Sequence, residues 1–218
     1  EGDSANCPPH HELVIYELHI GSFTDEDHGV GNLEDAIGKL DHLVDLGVNA
    51  IEVMPMAEFA GDMSWGYNPA HIFAVESAYG GPDAYKDFIK ECHRRGIAVI
   101  QDVVYNHFGP SDLDLWTFDG WSENGKGGIY FYNDDRSQTP WGDTRPDYGR
   151  GEVRRFIHDN ALMWLREYHV DGLRLDMVPH MYSHQGNYLH EGWSLMRWIT
   201  DSVREEFPGR IMIAEDLH

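Results

Sequence analysis

Lysine is scarce in this 218-residue chain. Four lysines and twelve arginines face 38 acidic side chains, for a net charge of −22. A field of that sign repels nucleic acid and anionic membranes and favours neutral or cationic ligands. Cysteine is nearly absent. Cys7 and Cys92 occur without any CxxC or Cys/His spacing, which argues against zinc and for two unpaired thiols in a reducing compartment. No run approaches the roughly 18 apolar residues that a membrane span needs. The opening segment, EGDSANCPPHHE, is polar and acidic, unlike a secretory leader. A cytoplasmic location is the expectation. No glycine-rich phosphate loop follows the first apolar run, which weakens a nucleotide-dependent doubly wound enzyme.

What is present is a recurring pattern. HLVDLGVNAIEVMP (42–55), CHRRGIAVIQDVVYNH (92–107), LREYHVDGLRLDMVPH (165–180) and REEFPGRIMIAEDLH (204–218) each join a helix tail to a mostly apolar run that ends in a polar cluster. Gly47, Gly96 and Gly209 stand where a helix end takes positive φ, a conformation glycine adopts at least cost. Near-continuous apolar runs are the mark of parallel strands covered on both faces. LVIYELHI (13–20) reads as a first strand. Helical spacing appears in 33–46 (Leu33, Ile37, Leu40, Leu43, Val44), 82–95, 152–168 and 191–206 (Trp193, Leu195, Met196, Ile199, Val203). Alternation of strand and helix predicts a parallel α/β sheet. Five strands are visible, fewer than the eight of a complete (β/α)₈ barrel of about 250 residues. Residues 108–150 interrupt the alternation after the third strand as a long insert without a clean period.

Parallel α/β folds place chemistry at the carboxyl ends of their strands. The third end carries Asp102, Asn106 and His107, the fourth Arg174, Asp176 and His180, and the fifth Glu215 and Asp216. Arg174 and Asp176 are two apart and share a face. An arginine there favours the ionised acid, which suits a nucleophile. A second carboxyl in a setting less favourable to charge can act as proton donor. Retaining glycoside cleavage needs such a pair about 5–5.5 Å apart, and strands ~4.8 Å apart could supply it. Each residue also has a plainer reading: a structural Arg–Asp pair, a loop cap at Asp102, a turn at Asn106, an interior imidazole at His107. Their joint placement at three successive ends favours chemistry.

DVVYNH, GLRLDMV and IAED resemble the first, second and third conserved regions of the α-amylase family, glycoside hydrolase family 13. YELHIGSFT and the SWGYNP loop extend the resemblance over most of residues 13–218. TPWGD and the long stretches before DVVYNH and GLRLD resemble the branching enzyme and maltooligosyl-trehalose trehalohydrolase members most. The resemblance implies a partial TIM (β/α)₈ barrel of about five strands over 1–218, with its insert at 108–150. It implies Asp176 as nucleophile and Glu215 as acid/base, with Arg174 placing the nucleophile. Asp102, His107 and Tyr67 would shape the sugar subsite, with Trp65 a weaker candidate. Asn106 matches a calcium ligand of many amylases that branching-type members commonly lack, so no cofactor is expected, calcium remaining the alternative. The implied partner is an α-glucan, neither nucleic acid nor a membrane. The implied reaction is α-1,4-glucan branching or related transglycosylation, with amylase- or trehalohydrolase-type hydrolysis as alternative, or carbohydrate binding without catalysis.

The family's fourth region, a His–Asp pair after strand seven, has no counterpart in these residues, so little glucan cleavage is expected of the 218-residue chain by itself. A five-strand arc would have two open edges, and open edges recruit further strands. Self-association is therefore expected. Size-exclusion chromatography with light scattering tests this, and a clean monomer would contradict it.

Overall fold

The computed structural model describes residues 7–24, 29–61, 63–109 and 115–217. The first six residues, residues 110–114 of the expected insert and His218 of the closing run lie outside the described residues. Five strands, β1 (Ile15–Leu18), β2 (Ala50–Val53), β3 (Ala98–Val103), β4 (Gly172–Leu175) and β5 (Ile211–Ala214), form one sheet. They are hydrogen-bonded in chain order and all pairs are parallel. A doubly wound sheet reverses its strand order at a switch point. This one does not, so the topology is that of a barrel arc.

Five helices make the crossovers: α1 (Leu33–Ile37), α2 (Leu40–Asp45), α3 (Gly81–Arg94), α4 (Gly151–Arg166) and α5 (His190–Glu206). Four of the five correspond to expected helical stretches only in part. The single helix expected over 33–46 is broken, because the Gly38 and Lys39 amides turn back to Asp35 and Ala36 carbonyls. Asn32 caps α1 by accepting the Asp35 amide at 3.0 Å. Leu33, Ala36, Leu40 and Leu43 are buried, but Val44, expected in the same apolar stripe, is 41% exposed. Trp193 of α5, also expected in the core, is likewise 41% exposed, while Leu195, Met196, Ile199 and Val203 are buried. Gly47, Gly96 and Gly209 all have positive φ, as their places after helices demand.

Strand alternation sorts the residues into two layers. Ile51, Val53, Val99, Val103 and Leu173 pack with the helices in the main core. Ala50, Ala98, Ile100 and Ile211 form a second, small cluster on the other face, with Leu13 and Ile213 against it. Glu52, Asp102 and Arg174 share the parity of this concave face. Asp102 pairs with Arg174, and Arg174 with Ile213, in the strand register.

Two antiparallel hairpins lie outside the main pattern: Ala57–Phe59 with Pro69–Val75, and Ser183–His184 with Asn187–Tyr188. The first frames the WGYNP loop. Among its described residues the insert holds one short 3-10 turn, Asp135–Ser137, and it is fastened by buried Arg145. Its guanidinium donates to the carbonyls of Arg136 (2.7 Å), Gln138 (2.7 Å) and Ser183 (3.2 Å), and to that of His180. The insert is thereby tied to the loop after β4. Burial pulls the Arg145 guanidinium below its usual range, so carbonyl dipoles do the work of a counter-ion.

At the amino end of the sheet, the Asp171 side chain is fully buried and accepts from the Val99 amide and His93 Nε2, each at 2.8 Å, and from Arg210. It joins β3, β4, α3 and the turn before β5. Removing one partner of a buried ionic set strands the others, at about 3–5 kcal/mol. Asp171→Ala should lower unfolding stability by that amount in urea titration. An unchanged midpoint would contradict the assignment.

Candidate active site

The sheet's ladder continues past the strand ends and fixes the acids. The Asp176 amide donates to Val103 O at 3.1 Å, the Glu215 amide to Leu175 O at 3.0 Å, and the Val178 amide to Glu215 O at 3.1 Å. Asp176 and Glu215 thus stand on neighbouring strands at the same end.

Arg174 joins them. Its Nη1 lies 2.8 Å from Asp176 Oδ1, and 3.0 and 2.9 Å from the two oxygens of Asp102. Its Nη2 lies 2.8 Å from Glu215 Oε2. Tyr67 donates its hydroxyl to Asp102 Oδ2 at 2.8 Å. Gly66 makes that reach possible: it has φ +89°, and a Cβ there would come within 2.5 Å of the Pro55 carbonyl oxygen. The five expected residues Tyr67, Asp102, Arg174, Asp176 and Glu215 therefore meet in one cluster.

His107 stands beside them. Its Nε2 is 2.7 Å from the Tyr67 carbonyl and its Nδ1 is 2.6 Å from Asn106 Oδ1. Two acceptor oxygens would favour a second proton on the ring. Burial opposes it and pushes the imidazole down to about 4, so the ring is neutral at pH 7 and donates to one oxygen.

Trp65, Tyr67, His107, Arg174, Asp176 and Glu215 line an open cleft of about 950 Å³. Trp65 is 70% exposed and makes part of its rim.

Burial dominates the electrostatics. It pushes the Asp102 carboxyl from 3.8 up to about 7, against the pull of Arg174 and the Tyr67 hydrogen bond. It raises Tyr67 beyond the ordinary tyrosine range, with Asp102 adding to the effect, so the phenol keeps its proton. Asp176 is raised too, by burial first, while Asn106 and Arg174 pull it down and Glu215 pushes it further up. Arg174 does favour ionised Asp176, as expected, but the arginine is shared among several acids and does not outweigh desolvation.

Three features escaped the sequence reading. Asn106 donates Nδ2 to Asp176 Oδ2 at 2.7 Å and to the Asp176 carbonyl at 2.9 Å, so its amide holds the acid in place. Its Oδ1 faces His107 Nδ1 at 2.6 Å. Among the described residues no group of three or more His, Cys, Asp or Glu is placed to hold a metal. Trp141, from the TPWGD motif, stacks on His107 with ring centroids 4.7 Å apart and a 19° interplanar angle. Met177 has φ 39°, an uncommon conformation for a non-glycine residue, and its amide donates to Glu215 Oε2 at 2.9 Å. A left-handed residue directly after an acid has no signature in sequence.

The fold and the cleft define an arc of a (β/α) barrel whose carboxyl end carries clustered acids. Residues 18–116 match the model of the alpha amylase catalytic domain. The chain is 48% identical over 167 residues to a malto-oligosyltrehalose trehalohydrolase of Arthrobacter ramosus, covering 76% of this chain and 26% of that protein. It is 38% identical over 225 residues to the 1,4-alpha-glucan branching enzyme GlgB of Pseudoalteromonas atlantica, covering 94% and 30%. A Salmonella typhimurium crystal structure described as an alpha amylase superposes with a TM-score of 0.77 at 36% identity, covering 94% of this chain and 31% of that one. Across most of its length the chain is similar to members of the alpha-amylase family. It spans between about a quarter and a third of the length of these relatives. No helix among the described residues is long and apolar enough to cross a membrane.

The raised Asp102 carboxyl has a definite sign in stability. The folded protein holds this proton more tightly than the unfolded chain does, so the group favours folding at low pH. That contribution is lost as pH rises from about 4 to about 7. The stability of the wild type relative to Asp102→Asn should fall across that window and level off above it, in urea titrations at stepped pH. A difference that is flat or rises would contradict the assignment.

Proposed function

We propose that this segment forms part of the catalytic barrel of a retaining α-glucan-active enzyme, with Asp176 as nucleophile and Glu215 as acid/base. The observation that carries the reading is the Arg174 guanidinium, which touches both carboxyl groups at 2.8 Å. A shared cation supports the short spacing of a retaining pair, about 5–5.5 Å, over the wider spacing that leaves room for an inverting water. In the first step Glu215 gives its proton to the glycosidic oxygen while Asp176 attacks the anomeric carbon, forming a glycosyl ester and releasing the leaving chain. In the second, Glu215 as carboxylate takes a proton from an incoming sugar hydroxyl or water, which displaces the ester.

Arg174 and the Asn106 amide hold the attacking oxygens of Asp176 in place. His107 and Tyr67, which line the cleft, would contact the sugar at the cleavage point. Asp102 is fully buried and would shape that subsite through its bonds to Tyr67 and Arg174. The acceptor decides between branching and hydrolysis. We read branching-type transfer on α-1,4-glucan first, on branching-enzyme relatives that match 94% and 97% of the chain, where a trehalohydrolase reaches 94%. Release of trehalose from a maltooligosyl-trehalose is the second reading, favoured by the higher identity of 48% to trehalohydrolases.

General acid catalysis contributes about 10²–10⁴-fold, so Glu215→Gln in the full-length protein should lower turnover of malto-oligosaccharides by that factor. With α-maltotriosyl fluoride, whose leaving group needs no acid, the same variant should accumulate a glycosyl adduct on the peptide containing Asp176, seen by mass spectrometry. An adduct on another residue would overturn the assignment. New α-1,6 links from amylose support transfer, and trehalose from maltooligosyl-trehalose supports the second reading.

A further inference from the structure

Arg174 has a third edge. Its Nη1 and Nη2 serve the acids at the strand ends, while its Nε lies 3.8 Å from Glu52 Oε1. Glu52 sits on β2 with its side chain 14% exposed, one layer below the cleft acids. Its strand neighbours on the same parity, Ala50 and the adjacent Ala98 and Ile100, are apolar. An acid in such a layer needs a reason, because burying a carboxylate without a close partner is costly.

We propose that Glu52 is a positioning residue for the reaction, anchoring the Nε edge of Arg174 and so setting the angle at which the guanidinium meets Asp176 and Glu215. This rests on the reading of Asp176 and Glu215 as the reacting pair, but the role given to Glu52 is separate from it.

A guanidinium is planar, and fixing one edge fixes the direction of the others. Without a contact at Nε the head group can rotate about its last bond, and its two terminal nitrogens leave the nucleophile and the acid together. Glu52 also adds charge. It faces Glu17 across the β1–β2 register, Arg174 from β4, and Glu215 beyond β5, with Asp102 and Asp176 on the far side of the guanidinium. Burial pushes the Glu52 carboxyl up, Arg174 pulls it down, and Glu17 and Glu215 push it up again.

The test is Glu52→Gln in the full-length protein, with turnover of malto-oligosaccharides followed over pH and melting temperature recorded alongside. Gln keeps the shape, weakens the contact to Nε and removes the charge. The expected result is a fall in kcat of about tenfold with KM little changed, the pattern of an interaction that counts in the transition state. Unchanged kcat at every pH would overturn the proposal. So would a loss shared by kcat and KM with a lowered melting temperature, since that is a purely structural role. If the Glu215→Gln protein given α-maltotriosyl fluoride forms no adduct at Asp176, the reading of the reacting pair fails instead, and the two failures are told apart by that adduct.

Discussion

Three carboxyl groups, Asp102, Asp176 and Glu215, converge on the guanidinium of Arg174 at 2.8–3.0 Å. One cation cannot compensate three carboxylates, two of them buried. Burial therefore lifts Asp102 to about 7 and raises Asp176 as well. Asp102 holds a proton near neutral pH that an isolated carboxylic acid would have lost. Chemistry that must both donate a proton and attack as an anion needs such unequal acids side by side. A lysine could supply the charge but not the planar fork that meets acids on two strands at once.

The fold places these groups by simple repetition. Each crossover sets the next strand beside the last, so β3, β4 and β5 end at one rim and their acids arrive together. The two ends of the sheet divide the labour. At the amino end Asp171 is spent entirely on His93, Arg210 and the Val99 amide, and it locks strands to helices. At the carboxyl end Tyr67, His107, Arg174, Asp176 and Glu215 face an open cleft, with Asp102 and Asn106 buried behind them. The insert after β3 is drawn to the loop after β4 by Arg145, which brings Trp141 over His107.

The strand ends were readable because the sequence repeats itself: helix tail, glycine, apolar run, polar cluster. Asp102, Arg174, Asp176 and Glu215 stand out in that pattern, and their meeting follows from parallel pairing in chain order. Local hydrogen bonding was not readable. Periodicity carries 33–46 through Gly38 and Lys39 without a break, yet backbone turns there end α1. Asn106 matches a metal ligand by position, but only coordinates reveal that its amide is given to Asp176. Glu52 looks like one more polar residue in an apolar strand until its parity puts it under Arg174. Exposure misled at Val44 and Trp193, because a helical stripe does not tell how wide the covered face is.

Exchanging Arg174 for lysine in the full-length protein tests the central claim most directly. Charge is kept and the fork is lost. If one planar guanidinium organises the acids, kcat/KM on malto-oligosaccharides should fall by about a hundredfold or more, on the scale of losing a preorganised transition-state partner, while the fold stays intact by circular dichroism. A folded Arg174→Lys protein with wild-type kcat/KM would contradict the account.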